Sequence, residues 1–140
     1  MRVVTDSKTD VLARVPLFRH CTGRDLAFVA SRADEVDIEA GRTLIRQGEP
    51  SDSFYVLLEG EATVDVDCST RPAMKPGDFF GEISMLDRGP ATATVVTSAP
   101  AKAMVMSHAQ FRDAIKGNDA LLAAVMAAVA ERLRADQTAR

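Results

Sequence analysis

The sequence predicts an α+β protein built on an antiparallel β-roll or jelly-roll barrel, with helices before it and after it. Between residues 33 and 106, short apolar or alternating segments are separated by turn residues about every ten positions, which is typical of a barrel or sandwich. On both sides of that region, apolar residues recur at the spacing of amphipathic helices. We therefore expect a helical start over 9–32, a β-roll over 33–106 and two C-terminal helices over 107–135.

The chain has the size and composition of one domain. Its 140 residues include 46% hydrophobic and 26% charged side chains, which is enough for a buried core inside a polar surface. The sequence contains no internal repeat and no low-complexity segment. We therefore expect residues 1–140 to form a single domain.

Local signals place the first helices. Pro16 should end a short helix, because proline disfavours helical geometry in the residue before it. Thr22 is a good N-cap for a second helix, with Asp25 in its first turn at the positive end of the helix dipole.

Six strands are expected in the middle of the chain, separated by turns at Gly41, Gly48, Gly60 and Gly77. The first and the fourth alternate apolar and polar residues, as half-buried strands do, whereas the third is apolar throughout. The expected strands are Val36–Glu39, Thr43–Ile45, Phe54–Leu58, Ala62–Asp67, Thr92–Val96 and Ala101–Met106.

The end of the chain is predicted to be helical. Ser107 and Gln110 have the spacing of a capping box that opens one helix, Gly117 should end it, and Asn118 can cap the last helix. An apolar stripe on the last helix should pack either on the roll or on a second copy of the chain. The stripe comprises Leu122, Val125, Met126, Val129 and Leu133.

Composition and charge argue against several classes of function. The net charge is −3 with no run of like charges, so we expect no nucleic-acid partner. Met1–Asp10 is polar and no apolar stretch reaches membrane-spanning length, so we expect neither a signal peptide nor a membrane span, and a cytoplasmic location. Cys21 and Cys68 should accordingly be free thiols.

The sequence also lacks the marks of an enzyme. His20 and His108 fall outside the predicted strands, so a metal-binding barrel is not expected, and both should be surface residues. No nucleophile elbow and no phosphate loop ending in Gly-Lys-Ser/Thr is present. We therefore expect no catalytic residue, no metal and no cofactor.

The segment Gly77–Leu86 carries the main functional signal. It is predicted to join a tight turn to a short helix, whose first backbone N–H groups have no intrahelical partner and attract an anion. Gly81 leaves room for an anion close to the backbone, and Glu82 can accept hydrogen bonds from neighbouring hydroxyls. A phosphate beside a ribose hydroxyl would suit this pair. Taken alone, the same residues could be a turn glycine and an acidic helix cap.

Longer segments resemble the cyclic nucleotide-binding domain family. Gly41–Glu49 and Phe54–Gly60 are similar to the family's paired glycine turns around an apolar strand. Gly77–Leu86 followed by Gly89–Val95 resembles its phosphate-binding cassette, and Val15–Phe18 resembles its N-terminal signature. The resemblance runs from about residue 12 to residue 133 and implies the β-roll fold of catabolite-activator-type regulators and protein kinase regulatory subunits.

The resemblance implies a role for each position of the cassette. Gly81, Ile83 and Ser84 would donate backbone N–H groups to the cyclic phosphate of cAMP or cGMP. Glu82 would accept a hydrogen bond from the ribose 2′-hydroxyl, and Thr92 would lie near the phosphate or the base. The last helix would close over the base, so the chain would be a non-catalytic sensor.

One position departs from the family pattern. Where the cassette normally has an arginine that pairs with the cyclic phosphate, this chain has Ala91. A charge-assisted hydrogen bond is worth roughly 1.5–3 kcal/mol, so its loss should weaken binding about ten- to a hundredfold. Arg88 could supply the missing charge, or could be a solvated residue that pairs with Asp87 or Asp78.

Three outcomes therefore stay open: rescue by Arg88, weak binding through the backbone and Glu82, or no nucleotide binding at all. We expect cAMP in preference to cGMP; Thr92 would slightly favour guanine in the resembled family, but without the adjoining arginine this carries little weight. In the third case the chain would be a degenerate module for protein interaction or for dimerisation through the helix over 119–135. An effector protein would be a further partner. A helix-turn-helix after the last helix is not expected, because only Ala135–Arg140 remain there.

Overall fold

A computed structural model describes residues 9–10, 12–15, 18, 21–81, 84 and 87–138. Within these residues the chain forms a β-roll of two four-stranded antiparallel sheets, flanked by helices. The helices are α1 (Gly23–Arg32), α2 (His108–Ile115) and α3 (Asp119–Thr138). The strands are β1 (Asp34–Ile38), β2 (Thr43–Ile45), β3 (Ser53–Glu59), β4 (Ala62–Val66), β5 (Ser69–Met74), β6 (Phe79–Phe80), β7 (Thr94–Thr97) and β8 (Ala101–Ser107).

The strands of the roll are divided between two sheets. One sheet runs β1-β8-β3-β6 and the other runs β2-β7-β4-β5. Because successive side chains of a strand point to opposite faces, β3 and β6 each serve two apolar clusters. Phe54 and Phe79 belong to a cluster shared with the helices, whereas Tyr55 and Phe80 belong to a cluster inside the roll. The predicted antiparallel β-roll is confirmed.

The six predicted strands are present, with small shifts at their ends, and two further strands were not predicted. β5 contains Pro72 and has no regular alternation, and β6 has only two residues, so neither carries the pattern of a strand. β7 begins at Thr94 instead of Thr92.

The predicted alternation of β1 is wrong. Val36, expected to be buried, is 38% exposed, and four of the five residues of the strand are exposed. β1 lies at the edge of its sheet and pairs with β8. Its charged side chains serve that pairing, since Lys102 of β8 lies 3.4 Å from Glu35 and 4.0 Å from Asp37.

Both predicted helix caps are confirmed as capping boxes. The Thr22 hydroxyl accepts the N–H of Asp25 at 3.1 Å, and the Asp25 carboxylate accepts the N–H of Thr22 at 3.1 Å. Ser107 and Gln110 make the equivalent pair of bonds at 3.2 and 2.7 Å. Asn118 caps α3 by accepting the N–H of Leu121 at 3.0 Å.

The stripe predicted on the last helix is only partly buried. Val125 is fully buried, together with Leu121, which the stripe did not include. Met126 and Leu133 are 58% and 54% exposed. Leu121 and Val125 therefore pack on the core and Val129 is partly buried against it, whereas Met126 and Leu133 face outward.

Several smaller expectations can be compared with the structure. Leu12, Val15 and Phe18 are buried, while Pro16 and Leu17 lie outside the described residues. Cys21 and Cys68 are free thiols, as predicted. Across the described part of the chain, no helix is both long and apolar enough to cross a membrane.

We predict that Gly60→Ala destabilises the protein much more than Gly41→Ala. Both glycines have a positive φ, +94° and +84°, so both substitutions strain the backbone by about 1–2 kcal/mol. At Gly60 the new Cβ would also lie 2.6 Å from the Pro100 carbonyl oxygen, whereas the space beside Gly41 is open. Urea unfolding measures the two free energies. Equal losses would contradict the close packing at Gly60.

Candidate ligand-binding site

The start of the cassette-like segment, Gly77–Leu86, pairs with β3 through β6. Phe80 pairs with Tyr55, and their rings stack with centroids 4.7 Å apart at an interplanar angle of 8°. Just before it, the N–H of Leu57 donates to the carbonyl of Asp78 at 2.9 Å, and the N–H of Gly77 donates to the carbonyl of Leu57 at 2.8 Å. The position at which the segment leaves the sheet is therefore fixed by main-chain bonds.

Gly81 sits at a point that only glycine can occupy. Its φ is +89°, and a Cβ there would overlap the carbonyl oxygen of Ser53 and lie 3.3 Å from the Cα of Phe54. The absence of a side chain lets the segment pass directly over β3. This packing requirement accompanies the anion role predicted for Gly81, which stays a prediction.

The residues after Gly81 are described only in part. Glu82 and Ile83, the predicted ribose and phosphate contacts, lie outside the described residues, as do Met85 and Leu86. Ser84 is helical and 3% exposed, and its carbonyl accepts the N–H of Arg88 at 2.8 Å. That bond is the i to i+4 bond of an α-helical turn, as expected for this segment.

The end of the segment is held by a pair of main-chain bonds that we call the cassette clamp. The N–H of Gly48 donates to the carbonyl of Ala91, and the N–H of Ala91 donates to the carbonyl of Glu49, both at 2.9 Å. Pro50 and Pro90 pair beside them as an isolated bridge. The clamp ties the loop between β2 and β3 to residues 90–91.

The clamp turns Ala91 into the interior of the roll. Ala91 is 5% exposed and belongs to the apolar cluster inside the roll. The other buried members of that cluster are Ile45, Ala62, Val64, Phe80 and Val95. Thr92, the other residue predicted near the ligand, is exposed. The position at which the family pattern has an arginine is therefore apolar here.

Arg88 lies in a different environment from Ala91. It is exposed, has a φ of +60°, and lines a cleft of about 500 Å³ together with Ser84, Asp52 and His108. The expected alternative partners are otherwise engaged: Asp87 accepts the N–H of Gly89 at 2.7 Å, and Asp78 accepts the N–H of Lys75 at 2.8 Å. We call this space the α2 cleft, because His108 is the first residue of α2.

His108 is a residue whose place the sequence did not reveal. It was expected to be a surface residue; it is partly exposed and it also lines the α2 cleft. Its Nδ1 lies 2.9 Å from a guanidinium nitrogen of Arg112. Partial desolvation and the positive charges of Arg88 and Arg112 lower the pKa of His108, and Asp52 opposes that shift. His20 lies outside the described residues.

A polar network that was also missed holds the loop between β2 and β3. The N–H of Gln47 donates to the hydroxyl of Thr94 at 3.0 Å. The Gln47 side-chain amide both donates to the Asp67 carboxylate and accepts the Asp67 N–H, each at 2.8 Å. These contacts span up to 47 residues of sequence, so no local pattern could have indicated them.

The chain belongs to the cyclic nucleotide-binding domain family. The family's sequence model matches residues 35–118, which is more than half of the chain and includes the whole cassette. The resemblance inferred from the cassette and the glycine turns is thereby confirmed.

Particular relatives show how such domains are used elsewhere. The chain is 31% identical to the cAMP-dependent protein kinase regulatory subunit of Dictyostelium discoideum over 73% of this chain and 34% of that protein. It is 28% identical to a CRP-like cAMP-activated global transcriptional regulator of Mycobacterium tuberculosis, over 89% of this chain and 58% of the regulator. The chain therefore spans less than two thirds of either relative.

A solved structure of similar extent supports the fold. The N-terminal domain of a transcriptional regulator from Streptomyces coelicolor superposes with a TM-score of 0.74 at 30% identity. The superposition covers 94% of this chain and 94% of that domain. The two domains therefore share their architecture over nearly their full lengths.

We predict that Ala91→Arg destabilises the unliganded protein by about 3 kcal/mol, because it places a charge in an apolar cluster. Thr92→Arg is the matched control: its side chain is exposed, so its effect should stay within about 0.5 kcal/mol. Chemical denaturation of the two variants measures both values. Similar stabilities for the two variants would show that position 91 faces solvent.

Proposed function

We propose that this chain is a non-catalytic regulatory domain that binds a cyclic nucleotide, cAMP in preference to cGMP. The observation that carries the proposal is the family match across the cassette, combined with a Gly81 whose position against β3 admits no side chain. The similar proteins named above are regulators, which supports a sensing role and not a catalytic one.

The proposed contacts use the backbone more than side chains. N–H groups of Gly81, Ile83 and Ser84 bind the cyclic phosphate, and Glu82 accepts a hydrogen bond from the ribose 2′-hydroxyl. Binding at such a site requires N–H groups that are held in a fixed direction. The close packing of Gly81 against β3 supports the proposed phosphate contacts, because it restrains the backbone there. Thr92, exposed at the end of the cassette, is proposed to lie near the ligand.

The names of the relatives support the proposed preference for cAMP. Both are named as cAMP-dependent or cAMP-activated.

We expect this chain to bind the cyclic nucleotide more weakly than family members that have the arginine. Ala91 offers no charge to the phosphate and is surrounded by apolar side chains. A missing charge-assisted bond lowers affinity about ten- to a hundredfold. We propose that Arg88 does not replace it, because Arg88 lies beside His108 on the α2 cleft.

Binding is proposed to be transmitted through α2 and α3. The N–H of His108 donates to the carbonyl of Asp52 at 3.0 Å, and Phe111 packs on Phe54 with ring centroids 5.4 Å apart. These contacts join α2 to the start of β3, which also supports Gly81. A ligand that prefers one arrangement of the cassette would thereby shift the helices, provided that its affinity differs between the two arrangements.

A second candidate function is a degenerate module for protein interaction or dimerisation. The apolar setting of Ala91 favours it, because the place of the phosphate-pairing arginine has become part of the core. The exposed Met126 and Leu133 of α3 supply apolar surface that such a partner would cover.

We predict that isothermal titration detects saturable cAMP binding at or below millimolar concentration, with weaker binding of cGMP. Glu82→Ala should weaken cAMP binding at least about tenfold through loss of the ribose contact. Arg88→Ala should leave the affinity within about twofold, as should the control Arg46→Ala, an exposed arginine that pairs with Glu49 at 3.5 Å.

The titrations distinguish the cyclic-nucleotide sensor from the degenerate module. The absence of heat at millimolar cAMP and cGMP would overturn the sensor proposal in favour of the degenerate module. Selective loss of binding in Arg88→Ala would assign that arginine to the cyclic phosphate.

A further inference from the structure

The α2 cleft differs in chemistry from the interior of the roll. Its volume of about 500 Å³ falls within the range of small-molecule sites. Three parts of the fold meet there: the end of the cassette, the loop between β2 and β3, and the start of α2. The lining residues are Gly48, Pro50, Ser51, Asp52, Ser84, Arg88, Gly89, Pro90 and His108.

Positive charge and hydrogen-bond donors converge on this cleft. Arg88 and Arg112 both lie near enough to His108 to disfavour its protonated form. Because a guanidinium only donates hydrogen bonds, the contact with Arg112 makes Nδ1 of His108 an acceptor. The hydrogen of the neutral ring is then on Nε2, which stays a donor. The α2 helix also begins here, so the positive end of its dipole adds to the attraction for an anion.

The nearby acidic group only partly offsets this charge. Asp52 is exposed, and its carboxylate accepts a hydrogen bond from the Ser53 hydroxyl at 3.4 Å. Its main-chain carbonyl accepts the N–H of His108. Among the described residues, two guanidinium groups and one carboxylate therefore act on the protonation of His108.

One residue that lines the α2 cleft has a hydroxyl without a hydrogen-bond partner among the described residues. The hydroxyl oxygen of Ser51 is buried, and it has no hydrogen-bond partner among the described residues. A buried hydroxyl without a partner destabilises the fold, so a ligand oxygen that accepts its hydrogen bond would be bound favourably. Ser51 lines the α2 cleft and also a smaller cavity of about 240 Å³ beside β2 and Tyr55.

We propose that the α2 cleft is a second ligand site, which binds a tetrahedral oxyanion of the phosphate class through Arg88, Nε2 of His108 and the hydroxyl of Ser51. The site is distinct from the cassette interior. Ala91 belongs to the apolar cluster inside the roll, whereas Arg88 lines the cleft beside α2. An anion in the cleft would link the end of the cassette to the helix proposed to transmit the signal.

The test follows the imidazole of His108 by NMR while inorganic sulfate replaces chloride at constant ionic strength. Sulfate carries the same tetrahedral geometry and does not titrate near neutral pH. Bound sulfate should raise the pKa of His108 measurably, because an adjacent anion stabilises the protonated ring. Binding should be saturable, and it should be at least about tenfold weaker in Arg88→Gln.

Three control variants make the result specific. Ser51→Ala should also weaken sulfate binding, whereas Arg46→Gln, which changes an exposed arginine paired with Glu49, should not. Glu82→Ala should retain sulfate binding although it binds cAMP more weakly, so the two proposals can fail independently. Parallel titrations with inorganic phosphate and 5′-AMP identify the source: tighter AMP binding indicates a phosphate monoester, and equal affinity indicates the free anion.

Two results would overturn the proposal. One is a His108 signal that does not respond saturably to sulfate, or that responds equally in Arg88→Gln. The other is direct competition between sulfate and cAMP, which would make the cleft part of the nucleotide site. Thermal unfolding of each variant, compared with the wild type, confirms that the exposed substitutions leave the protein folded.

Discussion

The cassette clamp continues the pairing of β2 and β7, two neighbouring strands of one sheet. Gly48 and Glu49 follow β2 of one sheet and precede β3 of the other, and they bond through the main chain to Ala91, just before β7. Because both the N–H and the carbonyl of Ala91 are engaged, its side chain is held toward the roll interior. The other features of the candidate site depend on this arrangement.

Two chemically different environments result. On one side, Ala91 completes an apolar cluster in which an unpaired charge would be costly. On the other, Arg88 comes close to His108 at the start of α2, together with Asp52 and the hydroxyl of Ser51. The absence of the family arginine at position 91 and the cleft lined by Arg88 and His108 are therefore separate features of the chain.

Local sequence signals predicted most of the fold. The capping boxes at Thr22 and Ser107 and the strands with clear apolar patterns were found, because their causes lie within a few residues. β5, β6 and the exposure of Val36 were missed, because they depend on pairing partners and edge position. Within the site, the motif identified Gly81 and Ala91, but the places of Arg88 and His108 follow from long-range contacts. Glu82 and Ile83 stay predictions.

Amide hydrogen exchange at Gly48 and Ala91 tests the clamp most directly. Both N–H groups lie in connecting segments, where exchange is ordinarily fast, but both are bonded across the fold at 2.9 Å. We predict that both N–H groups are protected to an extent comparable to those of the central strand residues Leu57 and Val95. Exchange at Ala91 as fast as at the exposed Thr92 would contradict it, because Ala91 would then be free to turn out of the apolar cluster.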